Sequence, residues 1–74
     1  MQSKAQHVVP RSYGWAVRST GSARVSHRFA TQEEAISVGR ELASRQHTKL
    51  YIHGTDGRIR ERISYGADPL PPQG

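Results

Sequence analysis

The strongest constraint on this chain is a parity. In Trp15-Ala-Val-Arg-Ser-Thr20 and Arg24-Val-Ser-His-Arg-Phe29, and again in Lys49-Leu-Tyr-Ile-His53 and Arg58-Ile-Arg-Glu-Arg-Ile63, bulky apolar residues recur at every second position and cations fill the gaps. Side chains alternate across a strand, so each run offers one face to a core and one to water. Trp15, Val17 and Ser19 share a side, as do Val25, His27 and Phe29. Gly21-Ser22 links the first two runs, and Thr55-Asp56-Gly57 links the last two, Asp-Gly being a strong hairpin signal. Two β-hairpins follow. A further short strand is expected over Gln6-His-Val-Val9, stopped at Pro10 because proline offers no N–H to a ladder.

Between the hairpins the period changes. Thr31-Gln-Glu-Glu34 matches a capping box and starts a helix. At 100° per residue, Ala35, Ile36, Val38, Gly39, Leu42 and Ala43 fall in one stripe, with Glu33, Ser37, Arg40, Glu41 and Ser44 opposite. A glycine inside the stripe costs about 1 kcal/mol relative to alanine, which predicts a close approach there, with Trp15 as the expected partner. The order is β-β-β-α-β-β: an α+β fold of two layers, one helix packed on a sheet built from two hairpins. Residues 1–5 and the proline-rich 66–74 read as flexible tails around a single domain spanning 6–65.

No cysteine occurs in the 74 residues, which removes disulfides, thiolate catalysis and Cys-based zinc sites and fits a cytoplasmic protein. A mean hydropathy of −0.74 and short apolar runs predict neither a membrane span nor a signal peptide. The four histidines lie on different elements without a paired spacing, so no metal is expected. Seven glycines form neither GxGxxG nor a P-loop, so no cofactor is expected. Outside the helix the acids of the ordered part are Asp56 and Glu61, which gives no carboxylate dyad for acid–base chemistry. The expectation is a protein that is not an enzyme.

Charge is the informative remainder. The chain carries +5. Residues 31–46 hold Glu33, Glu34 and Glu41 against Arg40 and Arg45, one net negative charge, so the rest carries +6. If Trp15, Val17, Val25 and Phe29 in the first hairpin and Leu50, Ile52, Ile59 and Ile63 in the second face the helix, parity sends Arg18, Arg24, Arg28, Lys49, Arg58, Arg60 and Arg62 to the opposite face, with Tyr51 and His53 among them and no acid. Such a surface suits a nucleic-acid backbone, DNA or RNA, with little sequence preference. Arg18, Arg28, Lys49, Arg58, Arg60 and Arg62 would contact phosphates and Tyr51 would stack on a base. The competing expectation is a solvated or protein-contacting face, in a protein-interaction module or homodimer that has no nucleic-acid role.

The segments GWAVRS (14–19), FATQEEAISVGRELA (29–43) and YIHGTDGRIRERISYG (51–66) resemble the small bacterial family known as domain of unknown function 2188, over nearly all of the ordered region. The resemblance implies a compact stand-alone bacterial domain and carries no catalytic residue. Phe29, Thr31, Glu34 and Ala35 are also similar to the start of the helix in the hybrid-binding domain of some ribonucleases H. That likeness implies nucleic-acid binding and identifies no contact residue.

Overall fold

The computed structural model describes residues 5–21 and 25–66, with the side chains of Val25 and Ser26 left aside. Arg24, Ser22 and most of both expected tails lie outside the described residues. The strands are β1 (Gln6–Arg11), β2 (Gly14–Ser19), β3 (Val25–Phe29), β4 (Lys49–His53) and β5 (Ile59–Ser64), with one helix, α1 (Gln32–Arg45), between β3 and β4. The architecture is α+β, one helix against one mixed sheet.

The sheet order is β3-β2-β1-β4-β5. β1, β2 and β3 form an antiparallel meander, and β4 and β5 form a hairpin. The two units join through a parallel pairing of β1 with β4, in the register Gln6–Leu50, His7–Tyr51 and Val8–Ile52. α1 is the crossover this pairing requires, because parallel neighbours cannot be joined by a tight turn. It starts at Thr31, whose hydroxyl accepts from the Glu34 amide at 3.2 Å, with Glu33 and Glu34 placed favourably in its first turn.

The core lies between α1 and the sheet centre. Val8, Val17, Leu50 and Ile52 meet Ala35 and Ala43, with Trp15, Phe29, Ile36, Leu42 and Ile63 packed around them. Gly39 is the close approach that the helical stripe predicts, but its partner is not Trp15. A Cβ there would stand 2.9 Å from Leu50 Cδ1 and 3.1 Å from Val8 Cγ2. The parallel pairing brings those two side chains together under the helix, whereas Trp15 sits toward the rim. Gln6 is also buried on this side. Its Nε2 donates to Ser19 Oγ at 3.1 Å and to Gln46 Oε1 at 2.9 Å, tying β1 and β2 to the helix C-terminus.

Two further expectations change. β1 continues through Pro10 to Arg11, with Pro10 opposite Trp15. The pairing with β4 reaches only Val8, so past that point β1 has an open side on which a missing N–H breaks no ladder bond. In β5, Ile59 does not face the helix. The register slips between Ile52 and His53, setting Ile59 opposite His53 and leaving it 46% exposed. α1 packs on β1, β2, β3 and β4, and β5 lies beyond its footprint.

Candidate nucleic-acid interface

α1 covers one side of the sheet, and parity assigns the rest. Val8, Val17, Leu50 and Ile52 point to the helix. Their neighbours His7, Val9 and Arg11 on β1, Ala16 and Arg18 on β2, and Lys49, Tyr51 and His53 on β4 therefore point away. Cross-strand pairing adds Arg28 opposite Ala16, and Arg62 opposite Tyr51. The floor of this open face is apolar, with Val9 and Ala16 buried. Its periphery is cationic.

One row crosses four strands in direct register: Arg18, His7, Tyr51, Arg62. At about 4.8 Å per strand, the two arginines stand about 14 Å apart at the backbone. Between them the His7 and Tyr51 rings stack, with centroids 5.1 Å apart and planes inclined by 26°. His53 lies against His7, with 3.1 Å between His7 Nδ1 and His53 Nε2. The other ring nitrogens are also engaged: His7 Nε2 is 2.8 Å from Thr20 Oγ1, and His53 Nδ1 is 2.8 Å from the Gly57 carbonyl oxygen. Burial first, and then the nearby His53 and Arg18, push the His7 pKa below the ordinary histidine value. At the β3 edge the Arg28 guanidinium lies 5.2 Å from the centroid of the half-exposed Tyr13 ring, a cation–π contact.

Of the cations singled out by sequence parity, Arg18, Arg28, Lys49 and Arg62 share the open face with Tyr51. Arg58 and Arg60 do not extend the row. Each has a guanidinium nitrogen 3.9 Å from an Asp56 carboxylate oxygen in the β4–β5 turn, and Arg60 also lies along Gly54. The bulge is the cause, because it places an extra residue on β5 where strict alternation was expected. Arg24 lies outside the described residues. Sequence reasoning missed Arg11 and His7. Arg11 lies beyond the proline expected to end β1. By sequence alone His7 is one of four scattered histidines, and only the parallel register reveals that it meets Tyr51 and His53.

The acids lie elsewhere. Among the described residues, Glu33, Glu34 and Glu41 are on α1, Asp56 is in the turn, and Glu61 sits opposite Ile52, on the side of the sheet away from the open face. Among the same residues no three His, Asp or Glu side chains gather as metal ligands. The outer side of α1 carries an open depression of about 340 Å³ lined by Glu33, Ile36, Ser37 and Arg40. It is too open to exclude water from a small ligand. No helix among the described residues is long and apolar enough to cross a membrane.

Comparison with known proteins gives a consistent family and no chemistry. A protein from Bacillus subtilis (strain 168) described as "Uncharacterized protein YdaT" is 36% identical over 67 residues, covering 90% of this chain and 45% of the relative. The chain thus spans about half the length of that relative. No solved structure matches. The family model described as "Uncharacterized protein conserved in bacteria (DUF2188)" matches residues 6–65, the whole span from β1 through β5, and the chain belongs to that family.

Proposed function

We propose that this protein is a small non-enzymatic binding module of the cytoplasm that holds the backbone of a nucleic acid on the open face of its sheet, without strong sequence preference. The observation that carries the reading is the segregation of charge: Arg11, Arg18, Arg28, Lys49 and Arg62 share a face on which no described acid stands. Phosphates neutralised by such cations release condensed counterions, the main source of sequence-independent affinity. Tyr51, half-buried between His7 and the β5 edge, supplies a ring for stacking.

Titration with single-stranded and duplex oligonucleotides across a salt series tests it. If all five cations neutralise phosphates on a single strand, log affinity falls against log salt with a slope of about −3.5. The double variant R18A/R62A flattens the slope by about 1.4, and Y51A weakens binding without changing it. Absence of binding at low ionic strength, or binding indifferent to salt, refutes the proposal. Sedimentation of the free protein tests the competing arrangement, a homodimer that buries this face. The nucleic-acid reading requires the face to be free, with the chain sedimenting as a monomer.

A further inference from the structure

The hydrogen bonds at the centre of the open face fix where its protons are. Gly57 O only accepts, so His53 Nδ1 carries hydrogen. In the neutral ring His53 Nε2 is then bare, and the 3.1 Å contact is His7 Nδ1–H donating to it. His7 Nε2 is bare in turn, and accepts from the Thr20 hydroxyl at 2.8 Å. Thr20 Oγ1 has another acceptor within reach, the Ala5 carbonyl oxygen at 3.3 Å.

A proton added at His7 Nε2 reverses one bond and breaks none. The ring donates to Thr20 Oγ1, and the hydroxyl turns its hydrogen to Ala5. A second proton, on His53 Nε2, would set two N–H groups against each other across 3.1 Å. The cluster therefore has one slot, and the slot is on His7.

Among the described residues, the full charges facing that slot are cationic. β2 presents Arg18, and β4 presents the His53 ring, neutral in the arrangement above, and the neutral Tyr51 ring. β5 presents Arg62 across Tyr51, and β3 holds Arg28 opposite Ala16. Asp56, in the turn beyond His53, accepts from the Arg58 amide at 3.1 Å and faces the Arg58 and Arg60 guanidinium groups. α1 contributes only Gln32, whose amide donates to the His53 carbonyl oxygen at 3.0 Å. Burial first, and then the nearby His53 and Arg18, oppose a proton at this slot in the free protein.

We propose that the slot fills when a phosphodiester settles on the face, so that binding takes up one proton at His7 and the affinity of the interface is set by pH. The proposal rests on the nucleic-acid reading above and adds its regulation. An anion across Arg18 and Arg62 reverses the local potential and favours the imidazolium, and by linkage the imidazolium favours the anion.

The test follows a labelled single-stranded oligothymidylate at constant ionic strength from about pH 5.5 to pH 8, where histidine charge changes. Affinity should rise on acidification by up to about tenfold per pH unit and no more, since one proton is taken up. H7Q should lose this dependence while still binding. H53Q, whose amide oxygen can accept from His7 Nδ1, should keep it. Imidazole nitrogen shifts of the free protein should report hydrogen on Nδ1 of both rings at neutral pH, with hydrogen appearing on His7 Nε2 as pH falls. Binding that does not respond to pH, a dependence that H7Q leaves intact, or a free protein whose His7 Nε2 gains no hydrogen as pH falls overturns the inference while leaving the interface standing. Failure to bind at any pH overturns the interface and the inference with it.

Discussion

Replacing Gly39 with alanine sets two effects of known size against each other. Alanine is favoured over glycine in a helix interior by about 1 kcal/mol, so at an exposed position G39A would stabilise. Here the new methyl would meet Leu50 Cδ1 at 2.9 Å and Val8 Cγ2 at 3.1 Å. Both side chains are fully buried, with the core on their other sides. Overpacking of this kind costs about 1–3 kcal/mol, so the expected net result is a loss of about 1 kcal/mol in urea unfolding at 25 °C with unchanged m. The L50V background separates the two effects. Shortening the side chain by one methylene costs about 1 kcal/mol by itself and withdraws the nearest clashing atom. In that background G39A should be neutral or stabilising by up to about 1 kcal/mol, a coupling of about 1–2 kcal/mol. A stabilised G39A, or additivity of the two substitutions within about 0.3 kcal/mol, would show that the helix is not held against Leu50 as described.

Two other perturbations test separate parts of the molecule. Gly14 opens β2 at φ +137°, where a Cβ would strike the Phe29 carbonyl oxygen and stand 2.9 Å from that of Ala30. G14A should therefore cost about 2–4 kcal/mol, and a thermal midpoint within a degree or two of the parent would refute this. The depressed pKa of His7 makes the folded chain bind that proton less readily than the unfolded chain, whose value is 6.5. Its contribution to stability is thus complete above about pH 6.5 and is lost as pH falls through that value toward the folded one. Chemical denaturation at pH 7.5, 6.5 and 5.5 should reveal the decline, and H7Q should flatten it.

The parts of the fold legible in the sequence are those written locally. Alternation marked the hairpin strands, Thr31 and Glu34 marked the helix start, and the position of Gly39 announced a tight approach. What stayed hidden was long-range. Nothing in Gln6-His-Val or Leu50-Tyr-Ile states that they lie side by side and parallel, yet that pairing places Leu50 rather than Trp15 beneath Gly39. It also brings His7 to Tyr51 and His53. The register slips, between Val17 and Arg18 along β3 and between Ile52 and His53 along β5, were hidden for a related reason, since a strict period of two fits Arg58 through Ile63 as well as the true register does. One extra residue sufficed to move Ile59 out of the helix-facing set and to place Arg58 and Arg60 beside Asp56.

A sheet face left uncovered by the helix needs polar residues around its apolar floor, but solvation alone does not dictate their sign. Opposite charges facing each other across antiparallel strands contribute roughly 0.2–1 kcal/mol, and like charges repel. A face shaped only by stability would therefore mix lysine and arginine with glutamate. Among the described residues this one does not: Arg18 and Arg62 end a row whose middle is His7 and Tyr51, while Glu61, one residue from Arg62, is turned to the other side. The five open-face cations thus accept mutual repulsion that a single inward-for-outward exchange at positions 61 and 62 would have relieved. On the proposed reading that repulsion is the driving force for an anionic partner, and Arg18 adds to burial in keeping His7 neutral until the partner arrives. The same reasoning makes R62E informative twice over. Placing a carboxylate beside Tyr51 should raise the His7 pKa in the free protein and weaken oligonucleotide binding by more than R62A does. If R62E and R62A bind alike and leave His7 unmoved, the row is not an electrostatic unit.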